Sequence, residues 1–413
     1  MAASLSNSVE CSRVNWLFLD LNSYFASVEQ QVSPELRGKP VAVLPVVAET
    51  TCCIAASYEA KAFGVKTGTM VKDARQMCPG IALVPARHEM YIEFHQQILK
   101  AVDLCIPVSQ VASIDEMACR LMGRERVVEN AMEIGRKIKR TIYAKVGECL
   151  RCSIGIAPNR MLAKTASDMQ KPDGLVAIAA ADLPECLYRL MPADLPGIGR
   201  RINARLERHG ILTMQQLCQQ SPQQMRTLWG SVVGERFWHW LRGEDFEEPE
   251  SIRSSIGHQH VLAPEERSLE RAGMILEKLL HKAATRLRRM KLWTGALSVC
   301  VGFSYGRERN VWEGRVRMME CRDTVTLMEV FRKVWEGCPQ GKPTFVGLSL
   351  HDLVPESLHT SSFFMEEEKR GRIAHVMDSL NGKYGEQTLY VGGRQTSSEA
   401  MPPRIAFSYI PEL

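Results

Sequence analysis

The sequence predicts an α+β chain of several domains, and three observations lead there. The chain has 413 residues, more than one compact core accommodates. Its N-terminal part mixes short apolar strand runs with amphipathic helices, and includes "SQVASIDEMACRL", where two adjacent acids interrupt apolar and small residues. Its C-terminal part reads strand, helix, strand, strand, helix, strand, a βαββαβ order of ferredoxin-like type.

Taken in order, Met1 to Arg13 reads as a loose tail. "VNWLFLDLNSYFASVEQQV" opens with a continuous apolar run, Trp16 to Leu19, as a buried strand requires. That strand ends at Asp20, and a helix carrying Phe25, Val28 and Glu29 follows. "KPVAVLPVV" and "TCCIAAS" read as strands, and "SYEAKAFGV" and "KDARQMCPG" as helices, the second stopped by Pro79 and Gly80. "EMYIEFHQQILKAVDLCIP" has helical apolar spacing up to Pro107, and "VASIDEMACRL" alternates like a strand. In "VVENAMEIGRKIKRTIYAKVG", Ile134, Ile138 and Ile142 share one helix face. "RCSIGIAP" is then a strand and "NRMLAKTASDMQ" a helix.

After about residue 180 short helices surround the Gly-rich turn in "LPGIGRRINARLERHGI", and the charged "GEDFEEPESIRSSIG" reads as a linker. Beyond it come strand "SIGHQHVLA", a helix from Glu265 to Lys291, strands "ALSVCVGFSY" and "RVRMME", helix "TVTLMEVFRKVWEGC" and strand "TFVGLSLHDLV". Leu269, Ala272, Leu276, Leu279 and Ala283 form the apolar stripe of the long helix, while Arg286, Arg288, Arg289 and Lys291 make a charged, solvated end.

Composition narrows the class. The chain is 45% hydrophobic and 24% charged, with a formal net charge of +5 and a pI near 8.5. Such a mild excess of base permits a polyanionic partner without requiring one. Thirteen scattered cysteines, with Cys52 and Cys53 adjacent, fit a reduced cytoplasmic protein. The lone CxxC, Cys149 to Cys152, lacks the second pair a zinc site needs. No secretory h-region and no apolar run of membrane-spanning length is present, so no membrane partner is expected.

The acids pose the chemical question. Asp20 ends one apolar strand, and Asp115 and Glu116 interrupt another. A carboxylate in apolar surroundings is costly unless it is paired or bound to metal. Two hard divalent cations would satisfy all three and clamp the attacking and leaving oxygens of a phosphoryl transfer. Adjacent strand residues face opposite sides, so Asp115 and Glu116 reach one site only if the strand end turns. Spacing alone leaves this reading level with a pair of solvated turn acids and an unrelated Asp20.

A set of motifs in fixed order decides between them. "FLDLNSYFASVE", "SYEAKAFGVKTG", "ASIDEM", "SIGIAPNRMLAKTASDMQKPDG" and "LPGIGRRINARLERHGI" resemble the Y-family, translesion DNA polymerases of the bacterial polymerase IV and V type. The resemblance runs from residue 14 to about 355. It implies a right-hand polymerase with palm at 14–35 and 83–180, fingers at 36–82, a helix-hairpin-helix thumb at 181–243, a linker at 244–254 and a little finger at 255–355. A tail over 356–413 follows. It also implies a template-directed nucleotidyltransferase of low fidelity that joins the α-phosphate of a dNTP to a primer 3′-hydroxyl. No exonuclease motif is evident, so no proofreading is expected. A catalytically inactive DNA-binding or adaptor relative would have lost the acids, and a cyclase with a similar palm would have no use for the thumb or little finger.

Residue by residue, Asp20, Asp115 and Glu116 match the family's catalytic metal-binding carboxylates, and the Leu21 carbonyl would be a further ligand. The implied cofactor is a pair of Mg²⁺ ions, with Mn²⁺ as a substitute. Tyr58, Lys61 and Lys164 match triphosphate contacts; Lys61 replaces the more usual Arg, keeping the charge and losing the bidentate fork. Ala55 stands where many relatives carry a hydroxyl, so that contact is not carried over. Asn22 replaces the second acid of the commoner D-x-D pattern, at a position that is not a main ligand. Phe25 aligns with the steric gate against ribonucleotides; Tyr24, counted with the nucleotide-binding group, is expected to turn to the palm core or a neighbouring backbone group. Gly197, Gly199, Arg200 and Arg201 would contact DNA phosphates without reading sequence. Phe363 and Phe364, an aromatic pair without the usual glutamine, are the candidate sliding-clamp peptide. The expected partners are primer-template DNA, dNTP and the clamp, with the protein itself a monomer.

Overall fold

The computed structural model describes residues 13–246, 254–305, 308–359, 365–385 and 388–389. They fall into two compact units, 13–246 in the first and 254–389 in the second.

In the first unit the strands are β1 (Trp16–Leu21), β2 (Val41–Leu44), β3 (Ala55–Ala56), β4 (Ala82–Pro85), β5 (Gln110–Val111), β6 (Glu116–Arg120), β7 (Cys152–Ala157) and β8 (Leu175–Ala177). The helices among and after them are α1 (Tyr24–Val32), α2 (Tyr58–Ala62), α3 (Val71–Met77), α4 (His88–Asp103), α5 (Val128–Lys145), α6 (Arg160–Met169), α7 (Arg200–Arg208), α8 (Met214–Cys218), α9 (Pro222–Trp229) and α10 (Val232–Trp240).

β1 is the centre of a five-stranded sheet ordered β5-β6-β1-β7-β8. Its continuous apolar run follows from burial on both faces. Leu17, Leu19 and Leu21 enter one core with Ile154, Ile156, Met117 and the helix residues Ile92, Ile98, Ile138 and Ile142. Phe18 points the other way, into a second core with Ala118, Ala157 and Leu162. α6 lies directly on that second face: a Cβ at Gly155 would sit 2.0 Å from the Ala163 carbonyl oxygen, so only glycine lets helix and strand approach this closely. The same core continues through Leu195, Leu206, Leu217, Leu228 and Phe237, so the helices α7–α10 pack onto the sheet that carries Asp20. A separate three-stranded sheet, β3-β2-β4, has its own small core around Leu44, Val65 and Val71.

Two expectations shift at this point. The strand read in "TCCIAAS" shortens to Ala55–Ala56, with Cys52 making only an isolated bridge to Met70. The strand read through "VASIDEMACRL" starts at Glu116, and residues 113–115 form a bend between β5 and β6.

The second unit has strands β9 (Ser255–Val261), β10 (Leu292–Tyr305), β11 (Glu308–Cys321) and β12 (Pro343–Pro355), with helices α11 (Leu269–Arg289), α12 (Thr324–Trp335) and α13 (Met365–Tyr384). The βαββαβ order holds through β12. The sheet order is β11-β10-β12-β9 with every neighbouring pair antiparallel. α11 and α12 therefore each link two strands that run parallel with one antiparallel strand between them. The apolar stripe of α11 packs with Leu297, Val299, Val346, Leu348 and Phe331 into one core. "RVRMME" is the end of a longer strand, β11, and the long helix begins at Leu269 after a 3₁₀ turn at Pro264–Glu266.

The stretch after Pro355, read as a tail, contains α13, which docks on the α11–α12 face. Asp378 receives a bidentate pair from Arg288, at 2.6 and 2.7 Å, and Ala374 is buried. Its weak amphipathic signal hid it: among its described residues only Ala374 is fully buried, with Met377 and Leu380 half-buried beside the ion pairs.

Candidate active site

Register brings the acids together. In the antiparallel pairing of β1 with β6, Asp20 stands opposite Glu116. Asp115 lies in the bend just before, so the two neighbours escape the alternation that would put them on opposite faces of a strand. The bend is fixed from several sides. Leu21 N–H donates to the Asp115 carbonyl at 2.8 Å, buried His95 of α4 donates Nδ1–H to the Ile114 carbonyl at 2.7 Å, and Ser113 Oγ donates to the Asp115 carboxylate. Burial pushes the carboxyls of Asp115 and Glu116 up. Ser113 opposes this at Asp115, and the Lys164 ammonium opposes it at Glu116.

α6 and the residues after it supply the compensating charge. Lys164 Nζ lies 2.7 Å from Glu116 Oε1 and also pairs with Asp20, so one ammonium bridges both carboxylates. Lys171 Nζ lies 2.8 Å from Asp20 and 2.7 Å from Asp168. Burial opposes the charge on Lys164, but Asp20, Glu116 and Asp168 together outweigh it and raise its basicity. Lys61 responds the other way: burial and the nearby Lys171 ammonium push it down. Its Nζ sits 4.3 Å from the Tyr58 ring centre, and Tyr58 is itself pushed up by burial against the pull of Lys171. Asp20, Glu116, Lys164, Lys171, Lys61 and Tyr58 thus form one electrostatic neighbourhood. Lys171 and Asp168 were not singled out from the sequence; their signal was the acid and base spacing in "KTASDMQK" at the end of a helix already marked by Lys164.

The donor set suits a hard divalent cation. Asp20 and Glu116 offer oxygen atoms that already share a cationic group. The third carboxylate, Asp115, is engaged with Ser113, and among the described residues no three ligating side chains yet converge on one point. Leu21 ends the strand with its side chain buried. Asn22 is a structural joint: its amide donates to Ser153 Oγ at 3.0 Å and accepts from the Asp173 N–H at 2.8 Å, two opposite roles that an ionised aspartate could not fill at once. It ties the end of β1 to the loop holding Lys171.

Phe25 and Tyr24 diverge. Phe25 is half-buried, with its ring stacked on Tyr91 at 4.4 Å and 14°. Tyr24 is 3% exposed and donates its hydroxyl to the Tyr91 carbonyl at 2.6 Å. The Tyr24 side chain therefore turns to the core and a neighbouring backbone carbonyl, as expected of it. The thumb residues form a separate surface. Arg200 and Arg201 are exposed at the start of α7, behind the turn of Gly197 and Gly199. Gly197 has φ +91°, which favours glycine, whereas nothing within 4 Å would meet a Cβ at Gly199. Phe363 and Phe364 lie outside the described residues.

Comparison with known proteins agrees with this geometry. Residues 19–168 match the impB/mucB/samB family, 193–245 the DNA polymerase-iota thumb domain, and 253–363 the impB/mucB/samB family C-terminal domain. The chain is 34% identical to DNA polymerase IV of Moorella thermoacetica over 91% of its own length and 94% of that protein. It is 33% identical to DNA polymerase IV of Pelotomaculum thermopropionicum, covering 90% and 93%. Among solved structures, a Y-family DNA polymerase chimera Dbh-Dpo4(243-245)-Dbh has the same fold, with TM-score 0.68 and 23% identity over 83% of this chain and 99% of that one. DinB from Sulfolobus solfataricus follows at TM-score 0.52 and 24% identity over 83% and 99%. Fold and site together define a right-hand nucleotidyltransferase, with acids on a central palm strand and a helical thumb. The chain belongs to the Y-family, DNA polymerase IV-like translesion polymerases.

Proposed function

We propose that this chain extends a primer 3′ end on damaged or undamaged template DNA, with Asp20, Asp115 and Glu116 as the catalytic carboxylates. The observation that carries the assignment is the Asp20–Glu116 register with Lys164 spanning both. Asp20, Glu116 and, once released from Ser113, Asp115 would hold two Mg²⁺ ions, with the Leu21 carbonyl beside them and Mn²⁺ as a substitute. When bound, the ions supply charge stabilisation for the attacking and leaving oxygens of the in-line transfer.

The remaining work falls to the chain's own side chains. Lys164 and Lys171 neutralise the crowded carboxylates of the free enzyme and supply ammonium charge to triphosphate oxygens. Lys61, whose charge is disfavoured by burial and by Lys171, gains from an arriving polyanion. Tyr58 adds a hydroxyl donor. Phe25 closes the sugar side of the site, where a 2′-hydroxyl would meet the ring. Gly197, Gly199, Arg200 and Arg201 hold the DNA backbone. The protein works as a cytoplasmic monomer, and Phe363 and Phe364 dock on the replicative sliding clamp; clamp stimulation that survives a Phe363→Ala/Phe364→Ala variant would remove that last assignment.

The deciding experiment is primer extension with Mg²⁺ and dNTPs. Asp115→Ala and Glu116→Ala each abolish extension and retain binding to primer-template DNA. Extension near the parent rate in either variant would sink the carboxylate assignment.

A further inference from the structure

Glu29 sits one turn after Phe25 on α1 and is 0% exposed. A carboxylate that deep is stable only when its oxygens are fully engaged. Arg87, just before α4, grips both of them, with Nε 3.1 Å from Oε1 and its second nitrogen on Oε2. The Tyr91 hydroxyl donates to Oε1 at 2.6 Å. Tyr91 is also 0% exposed, and its ring is the one on which Phe25 stacks. His88 meets both rings edge-on, at 6.4 Å from Phe25 and 6.1 Å from Tyr91. A continuous chain of contacts therefore runs from Arg87 through Glu29 and Tyr91 to Phe25.

We propose that Glu29, clamped by Arg87, is a positioning residue for sugar selection: it locks Tyr91, and the locked ring limits how far Phe25 can retreat from an incoming sugar. The inference rests on Phe25 being the sugar gate. Exclusion by clash is only as strong as the wall is stiff. A ring that yields by a fraction of an ångström makes room for a hydroxyl. Here the ring behind Phe25 is held by a charge-assisted hydrogen bond inside a fully engaged network, the kind of support that resists displacement. A mere tie between α1 and α4 would also use an ion pair, but its loss would lower stability without changing the choice of sugar.

The test is single-nucleotide insertion, read as the ratio of kcat/KM for a dNTP over the matching rNTP. Tyr91→Phe keeps the ring and its stack and deletes only the hydroxyl bond to Glu29; Glu29→Gln keeps the shape and removes the charge. In both variants the ratio falls about tenfold, equivalent to about 1.4 kcal/mol, near the low end for a hydrogen bond to a charged group. The double variant Phe25→Ala/Tyr91→Phe falls no further than Phe25→Ala alone, because a backing has no effect once the gate ring is gone. If Phe25→Ala relaxes sugar choice while Tyr91→Phe leaves the ratio at the parent value, the positioning role is overturned and the gate stands. If Phe25→Ala itself leaves the ratio unchanged, the gate reading fails and this inference with it. Should Glu29→Gln not fold, Tyr91→Phe decides alone.

Discussion

At the scale of single residues, charge balance organises the site. Asp20 is 6% exposed yet faces two ammonium groups; both also reach Asp168, and Lys171 is the one that perturbs Lys61 and Tyr58. Lys171→Ala removes a cation from the proposed triphosphate-binding part of the site. Its kcat/KM for dNTP falls by about tenfold or more, at about 1.4 kcal/mol per factor of ten, with KM rising. Asp20 keeps its Lys164 partner, so folding survives. Steady-state kinetics with an unchanged KM would place Lys171 outside the triphosphate contacts. Tyr24 and Phe25 make a related contrast: Phe25 is half-buried and stacks on Tyr91 while Tyr24 fills the core, since adjacent residues on a helix do not share a face.

At the scale of elements, α13 and β9 carry the most testable forces. Arg288 and Asp378, with side chains 11% and 21% exposed, form the main polar link between α13 and α11. Asp378→Ala strips this link, while Arg288 keeps the Arg322 carbonyl at 2.9 Å and Thr324 at 3.1 Å. The expected loss is about 1–3 kcal/mol in the stability of α13 docking, read as lost hydrogen-exchange protection across residues 369–384 and not in β10. Equal protection in the variant would mean that apolar contacts alone hold the helix.

On β9, burial, with Arg286 and Lys282 adding repulsion, pushes His258 down to about 4 from an ordinary 6.5. The unfolded chain thus takes up this proton at a higher pH than the folded one. Stability of the C-terminal unit is therefore highest above pH 6.5 and declines as the pH falls from 6.5 toward 4. His258→Gln flattens that decline. Exchange protection of β9 and α11, corrected for intrinsic rates, reports it; an unaltered slope would assign the acid sensitivity to another group.

At the scale of the whole molecule, a net charge of +5 is modest, so DNA affinity depends on where the cations stand. Arg200 and Arg201 are exposed at the start of α7. Replacing both by alanine weakens binding evenly across sequences. It also lowers the slope of log affinity against log salt by about 1.8, at about 0.9 per phosphate contact. A filter-binding salt series that gives the parent slope would remove the hairpin turn from the DNA interface. Phe18, Ala157, Leu206 and Phe237 share one apolar core, so the helices behind Arg200 and Arg201 are built on the same sheet that carries Asp20.

Sequence alone determined the elements whose pattern is local. The apolar run before Asp20, the Ile138–Ile142 stripe, the Gly-rich turn and the βαββαβ order are written in hydrophobic period and turn chemistry, and the structure follows them. The motif order also pointed to the family. What depended on distant partners stayed hidden. Only the β1–β6 register put Asp20 opposite Glu116, and only the bend held by Ser113, His95 and Leu21 took Asp115 out of the strand alternation beside them. Lys171 became a site residue when α6 packed across β7, where Gly155 admits it. Glu29 reads as an ordinary helix acid until α4 brings Arg87 and Tyr91 to it, and α13 lacks the apolar stripe that marks a docked helix. These are contacts between residues far apart in sequence, so their energy appears only when the chain has closed.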